Sequence, residues 1–500
     1  MAIELLERMI EAVSPQWAAK REAYRNALRY YQAGEVNRFN SKWVPVTETD
    51  QENIERGERG LIRARCRWLE RNSDIAQSAV SGVVRNVVST GIRMQARTDN
   101  EALNQRIEDA FSSWARSSNC DITKQQNFYE IQRMVLERKF VDGEVLVKKV
   151  TVRNRKVPFA LQVLRCDLLD NTMVYAPKNG NVIRSGIELT DYLEPVAYWV
   201  NQKTPDGYET LSPERIPAEE MIHLWSKRYP DQIRGISDLA VSTKRIKDLD
   251  EYLDAETIAA KLAACFSIFI TKQNFGVGMA NMAKQQGIVD SEGKPLTRIR
   301  PGMIVQLAAG DDVKAANPGR SATTAGEYAN LHQRLIGAGQ GLSYEMIARD
   351  FKQASYSAAR QGNLEDRRTF MPLQDWLIEH FCQPVFETWL DRAVLVGEVE
   401  IPNYFADPEK YHNAVEWIKP GWQSIDPEKE AAADVMEMTN GCKTLAQRCA
   451  EHGLDWRDQL AQMAKEKQMA EGLGLILPIH TPEAVQAAES NHITEADHED

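Results

Sequence analysis

The sequence has no uninterrupted run of about 18 apolar residues, which is the length that a membrane-spanning helix requires. Its N-terminus also lacks the pattern of a secretory signal, because Glu4, Glu7 and Glu11 interrupt the apolar residues there. The seven cysteines are scattered and odd in number, and no two are spaced as CxxC. This distribution predicts reduced thiols instead of a disulfide framework or a zinc site. We therefore expect a soluble chain that is made inside the cell.

The chain is also short of positive charge. It has 61 Lys and Arg against 72 Asp and Glu, which gives a formal net charge of −11. Proteins that grip DNA or an acidic membrane are usually basic, so the charge disfavours tight nucleic-acid binding by the whole surface. A surface that lets DNA pass without retaining it stays possible. The 43% apolar content predicts an ordinary core-forming chain, and its length predicts about three domains.

The common catalytic motifs are missing as well. The nearest approach to a phosphate loop ends at Gly293-Lys294, and Pro295 stands where a hydroxyl is needed. The sequence GAGQG at 337–341 resembles a dinucleotide loop, but a predicted helix precedes it instead of a strand. HExxH, GxSxG and an EF-hand loop do not occur, and the histidines stand singly. We predict no catalytic residues, no metal site, no cofactor and no enzymatic activity.

Two polar positions in an otherwise apolar region are ambiguous. Asp142 and Glu144 alternate on a predicted strand beside a turn, and paired carboxylates can perform acid–base chemistry. We favour the simpler interpretation, a solvated strand end. His223 lies on a predicted apolar strand, and we interpret it as a core histidine with satisfied hydrogen bonds.

The most prominent feature that is present is a long helical stretch over residues 236–264. Neither Gly nor Pro interrupts it, and Ser237 can cap its start. Its apolar stripe comprises Leu239, Ile246, Leu249, Leu253, Ile258 and Leu262, and its acidic sector comprises Asp248, Asp250, Glu251, Asp254 and Glu256. A helix of this length spans roughly 43 Å. We interpret it as a strut between two parts of the molecule, with a large buried core helix as the alternative.

The periodicity of the sequence changes along the chain. Helical spacing dominates before residue 141, with a helix start at Ser73 or Asp74, and strict alternation dominates over 141–230. We therefore predict helices followed by an antiparallel sheet domain. After the long helix, FSIFI (266–270) and IVQL (304–307) predict short strands in a small lobe. Helix then returns, and Pro372 and Pro384 are expected to kink the long helix near the end of the pattern.

Several blocks in this order resemble the lambda-like family of tailed-phage portal proteins. The blocks are RARCRWLERNSDIAQSAVSGVVRNVVSTGIRMQA (63–96), DGEVLV (142–147), IELTDYLEPVAYWV (187–200), IPAEEMIHLWSKRYPDQIRGISDLA (216–240), DLDEYLDAETIAAKLAACF (248–266), SYSAAR (355–360) and WIKPGWQSIDPEKEAAA (417–433). Together the resemblance covers roughly residues 20–470.

The resemblance implies an α+β class and a mainly helical portal fold. That fold has an antiparallel β wing domain, a long pair of stem helices, a small clip lobe and a helical crown. The implied boundaries are an N-terminal helix and extended arm (1–60), the wing (61–235), the stem helix (236–264), the clip (265–320), the returning stem helix (321–340), the tunnel loop (341–356), a long kinked helix (357–399), the crown (400–477) and a disordered acidic tail (478–500).

The resemblance also implies a function and partners. A homo-oligomeric ring, typically a dodecamer, would sit at one capsid vertex, and double-stranded DNA would pass non-specifically through its channel during packaging and ejection. The implied partners are the terminase large subunit, head–tail connector proteins, and the major capsid and scaffold proteins, with no membrane. The implied location is the virion, and the host cytoplasm during assembly. The alternative is a nucleic-acid-processing enzyme or packaging-motor subunit; a capsid shell subunit is disfavoured by the long central helices.

Six residues are candidates for the channel. Acidic Asp248, Glu251 and Asp254 on the stem helix would repel phosphate and keep DNA from sticking, since Lys and Arg contacts hold DNA through counterion release. In the tunnel loop, Arg349, Lys352 and Gln353 would touch the DNA backbone without reading bases. The alternative for these three is an ordinary solvated loop.

Overall fold

The described part of the chain is an α+β structure that is mostly helical, and its two larger antiparallel sheets are formed by residues 144–225. The computed structural model describes residues 50–170, 173–175, 180–203, 209–264, 269–271, 305–307, 322–352, 355–422 and 427–475. Contacts divide the chain into two compact units, Met1–Ile54 and Glu55–Asp500, and the second holds nearly all of the described residues. Most of the predicted arm, most of the lobe at 265–320, Gln353 and the tail at 478–500 lie outside the described residues.

The helices are α1 (Gln51–Asn72), α2 (Asp74–Val87), α3 (Glu101–Arg116), α4 (Phe128–Asp142), α5 (Thr243–Ala264), α6 (Ala322–Gln340), α7 (Tyr344–Ala348), α8 (Tyr356–Leu377), α9 (Gln383–Leu395), α10 (Glu409–His412), α11 (Pro427–Thr439), α12 (Leu445–Glu451) and α13 (Trp456–Gly472). The strands are β1 (Arg93–Ala96), β2 (Glu144–Val150), β3 (Ala160–Leu164), β4 (Val174–Tyr175), β5 (Val182–Arg184), β6 (Ile187–Leu189), β7 (Pro195–Lys203), β8 (Glu209–Pro217), β9 (Met221–Trp225), β10 (Phe269–Thr271), β11 (Val305–Leu307) and β12 (Val415–Ile418).

Local sequence signals determine where the helices that precede the sheets in the sequence begin and end. Ser73 caps α2, which confirms the predicted start. Asn127 and Glu130 form a capping box at the start of α4. Gly143 ends α4 at a φ of 90°, and a Cβ at this position would lie 2.4 Å from the carbonyl carbon of Ile236. Only glycine satisfies both the left-handed backbone and this close approach.

The predicted antiparallel sheet domain is confirmed and consists of two sheets. One has the strand order β3-β2-β9 and the other β4-β5-β6-β7-β8, and every neighbouring pair in both is antiparallel. A two-stranded antiparallel ribbon, β1 with β12, pairs Arg93 with Ile418 across most of the described chain. This ribbon was not predicted from the sequence. The strands β10 and β11 pair in parallel, in the region predicted to hold two short strands.

The main core is aromatic and lies where α3, α4 and α9 meet. Phe111 contacts Trp389 edge to face, with ring centroids 5.0 Å apart, and Phe128 stacks on Phe381 at 5.6 Å. All four rings are buried. Edge-to-face and offset pairs of this kind add specificity beyond the burial of apolar area. This core holds the helices near both ends of the described chain together.

The long helix predicted after the sheets begins later than expected. Ser237 caps a 3-10 turn at Asp238–Val241 through a bond from the Leu239 amide, and α5 starts only at Thr243. The Ser237 hydroxyl also donates to the carbonyl of Phe140, at 3.2 Å. This contact with α4 fixes the backbone before α5 and explains the delayed start. Further along, the helix that contains Pro372 widens into a π turn at Ile378–Cys382. This turn ends two residues before Pro384, which has no N–H to give to the preceding turn.

The interpretation of Asp142 and Glu144 as a solvated strand end is wrong, because both are buried. The Glu144 carboxylate accepts from Arg63 at 2.7 Å, from Arg234 at 2.5 Å and from the Gly235 amide at 3.2 Å. These partners come from distant segments of the chain. A local pattern of alternation therefore could not reveal them.

His223 completes this buried network, as a core histidine with a satisfied hydrogen bond, which confirms its interpretation. Its Nε2 lies 3.0 Å from Glu144. Burial lowers the pKa of His223 below its ordinary value, so the neutral ring donates to the carboxylate, which can only accept. Burial alone would raise the pKa of Glu144, but Arg234, His223 and Arg63 outweigh it and hold that pKa well below its ordinary value.

Two further ion pairs extend the network along α1. Arg67 donates hydrogen bonds to both carboxylate oxygens of Asp142, at 2.6 and 2.7 Å, and a further one to Asp167. Arg234 donates to the carbonyls of Cys166 and Ser185, at 3.0 Å each. The network therefore links α1, the start of β2, the turn after β3 and the segment that leads to α5.

We predict that Glu144→Gln lowers the midpoint of thermal unfolding. Removing one partner of a buried ion pair costs about 3–5 kcal/mol, because the other charge stays buried without compensation. The matched control is Glu214→Gln, since the Lys148–Glu214 pair is half-exposed and such pairs contribute about 0–1 kcal/mol. Circular dichroism melts would measure both; equal midpoints for Glu144→Gln and wild type would contradict the role of the network.

The same network sets a pH dependence. The folded-state pKa of Glu144 is depressed, so its contribution is present above the unfolded value of about 4.3. That contribution is lost as the pH falls through the folded-state pKa. The midpoint of Glu144→Gln should therefore fall less steeply with acid than that of the wild type.

Candidate nucleic-acid interface

The helix α5, which carries the three candidate acidic residues, packs against α6. Their contact includes Tyr252 and Tyr328, whose ring centroids lie 4.3 Å apart. Leu249 on α5 and Ile336 on α6 are both fully buried. Near the start of α5, the Gln340 side chain donates to the Ser242 hydroxyl at 3.0 Å. The pair is therefore joined both by rings and by polar contacts.

The structure separates the three predicted acidic residues. Asp248 is half-buried, whereas Glu251 is exposed and pairs with Lys247 at 2.7 Å. Asp254 is exposed and lines a cleft. Because Lys247 offsets the charge of Glu251, this part of α5 is less acidic than its carboxylates alone suggest.

The glycines of GAGQG serve close packing. Gly337 and Gly339 lie within α6, and no strand precedes them in the described segment 322–336. A Cβ on Gly337 would lie 2.5 Å from the carbonyl oxygen of Leu342, closer than a carbon and an oxygen can approach. Glycine at 337 therefore allows the chain to fold back directly after the helix.

The loop after α6 is anchored at its start by a buried carboxylate. Asp366 on α8 accepts from the amide and the hydroxyl of Ser343, at 2.7 and 2.6 Å, and Ser343 in turn caps α7. Burial raises the pKa of Asp366, although the bonds from Ser343 oppose the shift. The short helix α7 is thereby fixed against α8, and Ser78 on α2 donates to the carbonyl of Met346.

The chain leaves this anchored base at Arg349. Arg349 ends α7 in the left-handed conformation, at a φ of 55°, and its side chain is exposed, as is that of Lys352. Phe351 between them is 61% exposed. Phe351 was not among the predicted site residues, although an aromatic residue bracketed by two cations in a polar loop was a readable signal. Gln353, the third candidate, lies outside the described residues.

A cleft of about 560 Å³ brings two of the predicted residues together. We call it the acidic cleft, and its polar and apolar lining includes Trp68, Asp74, Asp250, Leu253, Asp254 and Arg349. Thus Asp254 from α5 and Arg349 from the loop share one surface. Neither Asp248, Glu251 nor Lys352 belongs to the lining of this cleft.

Two other kinds of site do not occur in the described part of the chain. Within its ranges, no group of three or more His, Cys, Asp or Glu side chains is placed to hold a metal ion. Among the helices of these same ranges, none combines the length and the apolar character needed to cross a bilayer.

Comparison with known proteins points to one family. The model of the family described as "Phage portal protein, lambda family" matches residues 37–374. The probable portal protein of Halomonas phage phiHAP-1 is 26% identical over 493 residues, covering 94% of this chain and 92% of its own. Portal protein B of Escherichia phage lambda is 23% identical over 482 residues, covering 87% and 88%. A solved structure, the neck of a native gene transfer agent particle computed with C12 symmetry, is similar at 13% identity and a TM-score of 0.41, covering 77% of this chain and 91% of its own.

We predict opposite effects for two glycine substitutions in α6. Gly337→Ala should lower the midpoint of thermal unfolding by the equivalent of about 1–3 kcal/mol, since the added carbon meets a backbone oxygen that must move. Gly326→Ala, where a Cβ would meet nothing within 4 Å, should raise stability by about 0.5–1 kcal/mol. Circular dichroism melts of both variants test the packing role, and a stabilised Gly337→Ala protein would refute it.

Proposed function

Because the chain belongs to the lambda family of phage portal proteins, we propose that its subunits close into a ring around a channel for double-stranded DNA. A portal protein is a structural component of the virion that forms the head–tail connector for DNA packaging, and it is not an enzyme. The observation that carries the proposal is the family match across residues 37–374, which include the sheets, the helix pair and the loop. The alternative of a nucleic-acid-processing enzyme has no comparable support.

The proposed domain roles depend on where the elements lie in the chain. The helix pair α5 and α6 is the stem, 265–320 the clip and 341–356 the tunnel loop. The sheets belong to the wing over 61–235, the long helix to 357–399 and the crown to 400–477. The packing of Tyr252 on Tyr328 supports a paired stem. The pairing of β10 with β11 supports a separate clip between the two stem helices.

The proposed DNA contact is the loop that begins at Arg349. Arg349 and Lys352 are exposed cations and Phe351 is an exposed apolar group, all beyond the point where Asp366 anchors the chain. Contacts of a few cations to phosphate position DNA without reading its sequence. A small number also limits counterion release, so DNA can slide instead of being held.

The wall of the proposed channel includes Asp248 and Glu251 on α5, with Asp254 turned toward the acidic cleft. The carboxylates repel phosphate, and the Lys247–Glu251 pair moderates that repulsion. The proposed assembly is a dodecamer. Its clip binds the terminase large subunit and later the head–tail connector proteins, and its wing faces the major capsid and scaffold proteins.

The ring itself can be seen directly. Electron microscopy of the purified full-length chain should show top views with a central hole, and mass photometry should give one large species. The same species should appear at the vertex of procapsids. Monomeric particles in solution together with procapsids that contain no ring of this chain would contradict the proposal.

The loop contact can be tested by removing its cations. Arg349→Ala with Lys352→Ala should reduce the amount of packaged or retained DNA at least severalfold in particles whose rings have assembled, because both cations are exposed beyond the anchored start of the loop. The matched control removes two exposed lysines of α13, Lys465→Ala with Lys467→Ala. Packaged DNA would be quantified per assembled particle. Wild-type packaging by the loop variant would reject these two residues as DNA contacts.

A further inference from the structure

The acidic cleft leaves apolar surface exposed on the subunit. Trp68 is 52% exposed and Leu253 is 39% exposed, and both line the cleft with Asp74 and Asp254. Large exposed apolar groups rimmed by charge mark interaction surfaces. Tryptophan in particular is enriched at the centres of protein interfaces.

The cleft also holds a carboxylate oxygen that lacks a donor. Within the described part of the chain, Oδ2 of Asp250 is buried and has no hydrogen-bond partner. Burial raises the pKa of Asp250, a hydrogen bond from Ser73 opposes this shift, and the nearby carboxylates of Asp254 and Asp74 add to it. Buried polar atoms are normally paired. An approaching cation would both supply a donor to Asp250 and offset the negative charge around it.

A surface of the opposite character runs along α8. Arg360, Leu364, Arg368 and Met371 follow one another at intervals of four, four and three residues and are all exposed, so they form one stripe of the helix. We call it the basic stripe. Arg368 pairs with Glu365 at 2.7 Å on the exposed surface, an arrangement that is easily exchanged because such pairs are weak.

The acidic cleft and the basic stripe lie on different sides of α7. Ile347, Ala348 and Arg349 of its C-terminal end line the cleft, whereas Ser343 at its start bonds to Asp366 of α8. Asp366 is two residues from both Leu364 and Arg368, which places it roughly 200° around the helix from the stripe. The stripe therefore faces away from α7, and one chain cannot bring its own stripe into its own cleft.

We infer that the acidic cleft of one subunit receives the basic stripe of the next subunit, an inference that rests on the ring proposed above. Two different complementary surfaces on one chain give a head-to-tail contact, and such contacts close into rings when the rotation allows. The arginines meet the carboxylates of the cleft, and Leu364 and Met371 cover Trp68 and Leu253. The charges fix the register, and the apolar groups supply most of the affinity.

Cysteine cross-linking tests the contact in the assembled ring. In a chain with the exposed Cys442→Ser, one cysteine replaces Leu253 or Asp254 and a second replaces Arg360 or Leu364, which gives four pairings. Oxidation should give a ladder of covalent multimers for at least one pairing, because a disulfide needs closely placed Cβ atoms. Each chain that carries only one of the two added cysteines should give no ladder, since a head-to-tail contact brings two different positions together. The absence of a ladder for all four pairings, in preparations that show rings, would overturn the inference.

Charge reversal tests the same contact without new covalent bonds. Asp254→Arg and Arg360→Glu should each raise the protein concentration needed for rings on the order of tenfold, and the double variant should recover most of the loss. The matched controls reverse exposed charges elsewhere, Glu471→Arg and Arg106→Glu, and melting midpoints would verify folding. Additive losses in the double variant, or unchanged rings in both single variants, would overturn the pairing.

The outcomes also separate this inference from the proposed function. If the wild-type chain forms no ring, the proposed function itself fails. If rings form but neither ladder nor recovery appears, only the assignment of these two surfaces fails. If another component of the particle covers the cleft, Asp254→Arg leaves the ring unchanged but blocks later assembly, and that result also overturns the inference.

Discussion

The burial of the Glu144 carboxylate is the constraint on which the arrangement of the sheets and helices depends. A carboxylate without solvent must be surrounded by donors, and those of Glu144 come from α1, from β9 and from the segment before α5. Because Glu144 needs these hydrogen-bond donors, α1, β9 and the segment before α5 are held together at its carboxylate. Through Arg234, Gly235 and Ser237, this point also sets where the helix pair leaves the sheets.

The loop that follows the helix pair α5 and α6 is anchored where it begins and exposed from Arg349 onward. Ser343 and Asp366 hold the start of α7, and Gly337 lets the chain turn back without a gap. After Arg349, Asp350 bonds to the amide of Lys352 and also interacts with the hydroxyl of Tyr344 on α7, whereas the side chains of Phe351 and Lys352 are exposed. For the DNA contact proposed above, this arrangement would fix the base of the loop and leave the side chains of Arg349, Phe351 and Lys352 exposed.

Much of the fold could be predicted from local patterns, and the failures share one physical cause. The change from helical spacing to alternation located the antiparallel sheets, and Ser73 located the start of α2. The partners of Glu144 lie at positions 63, 223 and 234. The alternation of apolar and polar residues around position 144 therefore could not distinguish a buried network from a solvated strand end. In the loop that the resemblance implied, Arg349 and Lys352 were named for their charge and stay a prediction, whereas the exposed Phe351 between them was not named. Trp68 was readable in principle, because helical spacing places it opposite the buried Arg63 and Cys66.

The β1–β12 ribbon has a consequence for how the chain can reach its native state during synthesis. Its two strands, at 93–96 and 415–418, are separated by most of the described sequence. Until the ribosome has released the second strand, β1 has unpaired backbone groups and α3 lacks the aromatic partners of α9. Contacts between such distant segments must also overcome a large loop-closure entropy. The helices near the N-terminus of the described region therefore reach their final packing only late in translation.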